Sequence, residues 1–533
     1  MSALKSAVRS GRHHPFRWVL ARAIVAGLAA ASPVGADAQT PPRVQPDFPT
    51  TATNLVNKVA NTSPVIAVDP TDRRFMVLAH RVDGPDFSCG LQVSGDGGRG
   101  WIPAVPVPKL PEGAEKCYAP EVAFDAKGTL YYLFIGLAGP GNSPMGVYIS
   151  VSKTKGATFS APRQVLPGER YMVRMAIDPS IGAQGRMHLV WLEARSDPPL
   201  GGLAPPPNPI MAAYSDDGGR TFSTARQISD PQRPHAVAPA LALGPDHAVH
   251  VVYYDLVDDA RDYQGLEGPP WDGTWSLVMA SSSDGGRTFS RGVVVDDDIV
   301  PPERVMLIFT MPPASVVADK EGRVFVAWHD ARNDDWDIFL RRSRDAGVTW
   351  DAVRRINDDK IKNGLHQFLP RLALSPDGRL DAVFYDRRGN VENRGNDVYY
   401  TSSKDAGASF ARNVKLTRVD SDSLVGYQYG VASAQGLYEW GSRLGLVAER
   451  GRALAAWTDS RNTARWRVPQ DIYAAEVDLG GGGESSRAPV TVAVVAVAAG
   501  AGALALRRRR QGAHLSPEGP VVTNDPSVTG EDG

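Results

Sequence analysis

The octapeptide Ser282-Ser283-Asp284-Gly285-Gly286-Arg287-Thr288-Phe289 constrains this chain more than any other stretch, because the chain repeats it. Its frame is Ser-x-Asp-x-Gly-x-Thr-aromatic. Ser215, Asp217, Gly219, Thr221 and Phe222 make a full copy, as do Ser343, Asp345, Gly347, Thr349 and Trp350. Looser copies pass through Ser94, Asp96, Gly98 and Trp101 and through Ser403, Asp405, Gly407, Ser409 and Phe410. A degraded one uses Ser152, Gly156, Thr158 and Phe159. Six copies about 60 residues apart mark a repeat architecture. The residue types suit a tight turn between two strands. An Asp side chain bonds backbone donors inside the turn, Gly admits a positive φ, and the aromatic pins the turn to the sheet. Asp96, Asp217, Asp284, Asp345 and Asp405 are therefore read as structural.

Each box is preceded by the same grammar: an alternating apolar strand, a turn, a second apolar strand ending in an aromatic and an acid, a loop, and a third strand. Pro64 to Asp69, Pro120 to Asp125, Met175 to Asp178, Pro239 to Leu243, Ala314 to Ala318 and Pro370 to Leu374 open six such units. A seventh, from Arg443 to Val477, lacks the box and a fourth strand, which Thr53 to Val59 could supply by closing a ring. The boxes share one face with the short turns between strands one and two. The long connections, such as Asp255 to Trp275 and Val419 to Ser442, gather on the other, as is usual for a binding face.

The box resembles the Asp-box, or bacterial neuraminidase repeat, of the sialidase-like β-propellers, over roughly residues 60–478. The resemblance implies an all-β propeller, expected with seven blades and with six as the alternative. It implies a glycosidase of sialidase type less directly, because in that superfamily the box is a structural turn found on enzymes and binders alike. A sialidase uses three arginines on the substrate carboxylate, a Tyr nucleophile backed by a Glu, and an acid/base Asp. The family's Arg-Ile-Pro motif is replaced here by Ser63-Pro64-Val65-Ile66, so its first arginine has no counterpart.

The ends of the chain carry a different signal. Basic residues precede an apolar run from Ala23 to Ala31 and a small-residue site at Ala36-Asp37-Ala38, the pattern of a signal peptide over 1–38. A linker over 39–52 leads to a propeller over 53–478. A Gly-rich linker over 479–489 then leads to an apolar segment, Val490 to Leu506, long enough at about 1.5 Å per residue to cross a bilayer. Arg507 to Arg510 follow as a positive flank, with a cytoplasmic tail over 507–533. The expectation is an exported monomer on the cell surface or extracytoplasmic side, anchored to the membrane by one pass. In such a compartment Cys89 and Cys117, the only cysteines, are expected to form a disulfide. A net charge of −1 argues against nucleic acid as a partner, and no metal-ligand spacing or cofactor motif is present.

Candidate site residues are those that break the repeat. Arg174 and Arg371 stand at the start of a first strand, where other units carry small or apolar residues, and Glu121 takes the corresponding place in the second unit. Two guanidiniums there could clamp a carboxylate. Tyr438 and Glu439 are the candidate catalytic pair, with Glu121. Tyr427 and Trp271 are candidate sugar platforms, and His235 and His366 lie in nearby crossings. Trp328-His329-Asp330-Ala331-Arg332, Trp457-Thr458-Asp459-Ser460-Arg461 and Tyr385-Asp386-Arg387 read as one motif three times over. Arg332 is kept as a substrate contact, although repetition favours an Asp–Arg brace. Three functions compete: a glycosidase on sialylated or other acidic glycans, which is favoured; a non-catalytic propeller binding glycan or protein; and a polysaccharide lyase.

Overall fold

The computed structural model describes residues 41–480 except 52–58, 85, 105–107, 140–141, 194–195, 198–201, 204–205, 260–270, 303–311, 429–437 and 463–469. These form seven antiparallel sheets of four or five strands, plus a short hairpin between Ser196–Asp197 and Gly202–Leu203. The innermost strands are Asn61–Val68, Lys116–Phe124, Tyr171–Asp178, Ala236–Leu243, Ser315–Ala318, Gln367–Leu374 and Gly445–Glu449. Each touches the next around a ring, and the last touches the first, giving a seven-bladed propeller.

Second strands show why this sequence makes blades. Met76–Val82, Arg186–Leu192, Val249–Asp255, Val324–Asp330 and Leu380–Asp386 are buried at every position. A strand covered on both faces reads as a continuous apolar run rather than an alternation. Neighbouring blades supply the second cover. One core cluster joins Val252 and Tyr254 of blade 4 to Val324, Val326 and Trp328 of blade 5.

The Asp boxes fasten each blade to the one before. In five of them the Ser hydroxyl donates to the Asp, as in the full copies (Ser215 to Asp217, 2.8 Å; Ser282 to Asp284, 2.7 Å; Ser343 to Asp345, 2.7 Å). The same hydroxyl accepts the Gly amide, and the Asp accepts the Thr amide and hydroxyl, as in Thr288 at 2.9 and 2.6 Å. In the degraded copy Thr154 Oγ1 replaces the carboxylate and accepts the Thr158 amide at 2.9 Å. The box glycine presses on the preceding blade. A Cβ on Gly347 (φ 92°) would collide with Met279, and one on Gly98 (φ 87°) with Leu454. Arginines of preceding blades then donate to box carbonyls: Arg452 to Gly97 (2.9 Å), Arg186 to Gly285 (2.8 Å) and Arg342 to Ala406 (2.5 Å). The Gly97 amide bonds the Arg74 carbonyl in the first turn of its own blade at 2.7 Å, so boxes and short turns share a face.

Closure differs from the expectation. The outer strands of blade 7 are Arg43–Val44 and Phe48–Pro49, both paired with Asp471–Asp478, and most of the expected closing segment, Thr53 to Val59, lies outside the described residues. Asp47 is buried in the seam, where Arg461 (2.7 Å) and Arg418 (2.6 Å) hold its carboxylate. Cys89 and Cys117 are joined by a disulfide that ties blade 1 to blade 2.

The placement at a membrane is also corrected. The described residues are all strand, turn and loop, and no helix among them is long and apolar enough to cross a membrane. The segments expected to be a signal peptide (1–38), a transmembrane helix (Val490 to Leu506) and a cytoplasmic tail lie outside the described residues. The single-pass anchor, the membrane partner and the cell-surface location read from the sequence find no support among the described residues.

Candidate functional site at the channel mouth

Five of the inner strands share a bulge near their start. It follows a non-glycine residue at positive φ: Ser63 (54°), Ala119 (50°), Met172 (52°), Ala238 (52°) and Leu369 (53°). Such residues rarely adopt this conformation, so its recurrence marks a feature imposed by the ring. Pairing resumes two residues on, at Val65, Glu121, Arg174, Ala240 and Arg371. Glu121, Arg174 and Arg371 thus occupy one equivalent position in blades 2, 3 and 6, at the end of the channel where the long connections gather.

The structure adds a fourth group. Arg443, just before the inner strand of blade 7, pairs with Glu121 and donates to the Pro120 carbonyl at 2.7 Å and the Ser63 carbonyl at 3.3 Å. Arg174 reaches the same Glu121 oxygen at 3.2 Å. Arg371 feels both Arg443 and Glu121 but bonds neither, and its buried Nε has no acceptor. Three guanidiniums thus surround one carboxylate, leaving a local excess of two positive charges. Burial lowers the Arg174 pKa to about 10, against the pull of Glu121 and with repulsion from Arg443 and Arg371. Arg371 is lowered by burial first and by Arg443 second. The mouth is a cationic site with an unsatisfied donor, suited to an anionic group.

Glu439 is placed elsewhere. It is fully buried and meets Arg81 Nη2 at 2.7 Å and the Gly441 amide at 2.7 Å. Arg81 also pairs with Asp83 at 2.5 Å and donates to the Tyr118 hydroxyl at 2.7 Å. Burial, only partly offset by Arg81, pushes the Glu439 pKa up to about 7. This group holds the loop before blade 7. Glu439 N donates to the Tyr427 carbonyl (2.9 Å), Gly441 packs on Ser63, and Ser442, immediately before Arg443, donates its N–H to Ser63 Oγ (3.0 Å). Glu439 is thus held in a buried ion-pair network whose contacts lead to Ser63 and Ser442.

Other expected site residues have packing roles. Tyr438 and Trp271 lie partly buried against apolar clusters. The Tyr427 ring fills the space beside Gly84, where a Cβ would collide with it. His366 stacks on Trp336 with ring centroids 4.3 Å apart. Arg332 is an Asp–Arg brace: it grips Asp330 (2.7 Å) and Asp296 (2.9 Å), while Trp328 Nε1 donates to Asp330 at 2.8 Å. Arg461 grips Asp459 in the same way. The third copy is shifted by one residue from the sequence reading. Its brace is Arg388 on Asp386 (2.7 Å), and Arg387 is a separate group.

Sequence reasoning missed Arg443 and the Arg81–Asp83 pair. Arg443 carries the signal that picked out Arg174 and Arg371, a charge at the start of an inner strand. Arg81 lies in, and Asp83 just after, a strand otherwise rich in apolar residues.

Residues 210–426 match the family model of the BNR repeat-like domain. No curated protein matches the chain by sequence. Among solved structures, a Dyadobacter fermentans protein of unknown function shares 14% identity, over 82% of this chain and 99% of its own, with a TM-score of 0.43. The phage phi92 endosialidase shares 10% over 84% and 70%, with a TM-score of 0.45. A Penicillium chrysogenum alpha-L-arabinanase shares 13% over 69% and 96%, with a TM-score of 0.40. The matched repeat coincides with three intact boxes on blades built alike. Over residues 210–426, within the seven-bladed propeller, the chain is thus similar to BNR repeat-like domains.

Proposed function

We propose that the propeller is a binding module whose channel mouth holds a carboxylate-bearing ligand between Arg174, Arg371 and Arg443. The observation that carries this reading is Arg371. It stands where its neighbours are apolar or acid-paired, yet among the described residues it has no acid partner and its Nε no acceptor. A buried guanidinium left in this way is costly unless a ligand completes it, and its planar fork suits a carboxylate. Similarity to the repeat of the sialidase-like propellers over residues 210–426 makes acidic sugars the first class to test. Hydrolysis is less well supported. It would need a second carboxyl or a Tyr nucleophile facing the ligand, but Glu439 is fully buried and Tyr438 packs on an apolar cluster.

Calorimetry on the full chain with N-acetylneuraminate, glucuronate and glucose tests the reading. Both acids are expected to bind and glucose is not. Arg371→Ala should weaken acid binding roughly 10- to 100-fold with folding intact, the loss of one charge-assisted contact. Equal binding of acidic and neutral sugars would sink the proposal. So would turnover of a chromogenic sialoside that Tyr438→Phe abolishes.

A further inference from the structure

Arg387 is absorbed neither by the brace motif nor by the channel mouth. At its position, one residue before the brace arginine, blades 5 and 7 carry the small residues Ala331 and Ser460. Arg387 and Asn396 are each only 1% exposed. Arg387 Nε donates to Asn396 Oδ1 at 2.7 Å, and Nη1 donates to the Asn393 carbonyl at 2.7 Å. Arg387 Nη2 and Asn396 Nδ2 are both buried without a partner.

Covalent geometry makes this pair informative. The Nε–H and one Nη2–H of a guanidinium point along the same edge. In Arg461 that edge grips both oxygens of Asp459, at 2.9 and 2.6 Å. In Arg387 the same edge meets an amide, which offers one oxygen and one NH2, so a donor faces a donor. Turning the Asn396 amide over only moves the mismatch to Nε. An acceptor placed between the two facing donors resolves it in either orientation, and as the amide stands those donors are Nη2 and Nδ2.

The charge decides what that acceptor is. Burial lowers the Arg387 pKa to about 10, which still leaves it protonated at neutral pH. The one carboxylate close enough to be felt, Asp422, is itself bonded by Arg394 at 3.2 Å. The Phe368 ring lies 5.2 Å from the guanidinium and offers only a partial counter-charge. A buried water would meet the hydrogen bonds and leave the cation uncompensated, whereas an anion meets both needs. We propose that Arg387 and Asn396 hold a buried monoanion of halide size that neutralises Arg387 and fixes the loop between the second and third strands of blade 6.

The test compares thermal unfolding of the full chain in chloride or bromide with gluconate at equal ionic strength. Halide is expected to raise Tm by a few degrees, saturably, because an ion that binds only the folded state stabilises by mass action. The rise should persist in Arg371→Ala, which separates it from anion binding at the channel mouth. It should vanish in Asn396→Asp, where a built-in carboxylate supplies the second oxygen. Equal Tm in halide and gluconate, or an undiminished rise in Asn396→Asp, would overturn the proposal. Bromide-soaked crystals give a second readout independent of the variants. An anomalous peak within hydrogen-bonding distance of Arg387 Nη2 and Asn396 Nδ2 is expected, and a water there with no bromide signal would overturn it.

Discussion

The two ends of the propeller solve the same problem with opposite economies. At the Asp-box end the same bonds recur from blade to blade. Serine, aspartate and threonine satisfy one another within the turn, and an arginine of the preceding blade takes up a box carbonyl. At the channel mouth the backbone bulge recurs but the charged side chains placed on it do not. One glutamate serves two arginines, a third arginine has no acceptor for its Nε, and the nearby Arg81 holds two buried carboxylates. Repetition with the turn's own Ser, Asp and Thr groups satisfied identifies scaffold. Departure from the repeat with donors left over identifies a place where something else is meant to bind.

The largest effect expected is acid sensitivity shared by both ends. Burial holds His80, His188, His250, His329 and His366 each near 4, whereas an unfolded imidazole titrates near 6.5. Between those values the unfolded chain binds more protons, so stability falls as pH falls, by about 1 kcal/mol per imidazole by pH 5.5. Glu439, raised to about 7, opposes this, because over pH 4.5 to 7 it takes up its proton only when folded. Urea titrations at pH 7 and 5.5 should therefore show a drop, steeper in Glu439→Gln. A flat profile would mean the imidazoles are not sealed.

Next comes the contrast in redundancy. Arg81→Leu leaves Asp83 and Glu439 buried without their cation and is expected to cost about 3–5 kcal/mol. Asp284→Ala removes the centre of one box among six, at an exposed turn, and is expected to cost about 1–2 kcal/mol. Chemical denaturation of both variants measures the difference, and equal losses would break the comparison. The smallest effects concern stability at the two ends. Arg371→Ala and Arg287→Ala should each leave Tm within about a degree of the parent, since neither bonds an acid. Only the former should lose ligand. Loss of ligand in Arg287→Ala would place the working face at the boxes.

Much of the scaffold was legible because its chemistry is local. An octapeptide contains all the partners of its own turn, and a strand buried on both faces shows it as a continuous apolar run. Glu121, Arg174 and Arg371 could be picked out because the repeat supplied a register to count from. Arg443 was missed because the seventh unit has no box to set that register. Arg387 was confused with Arg388 for a similar reason, since a one-residue slip leaves the pattern of the motif intact. The closing strands are two residues long and carry no periodicity. Glu439, Tyr427 and Trp271 looked like rim residues because sequence does not tell an exposed loop aromatic or acid from a buried one. Their burial depends on partners far along the chain, as in the contact of Glu439 with Arg81, 358 positions away.

The seam of blade 7 also sets the order of events at the ribosome. Thr50 must wait for Ile472, 422 residues later, before its hydroxyl finds its acceptor. At typical synthesis rates that interval is roughly 20 to 85 s. Late in that interval blades already made have first and last inner strands with no neighbour across the gap. Such edges are templates for pairing with other chains. The chain is thus most exposed to misassembly late in its synthesis, and its last strand both completes the ring and ends that exposure.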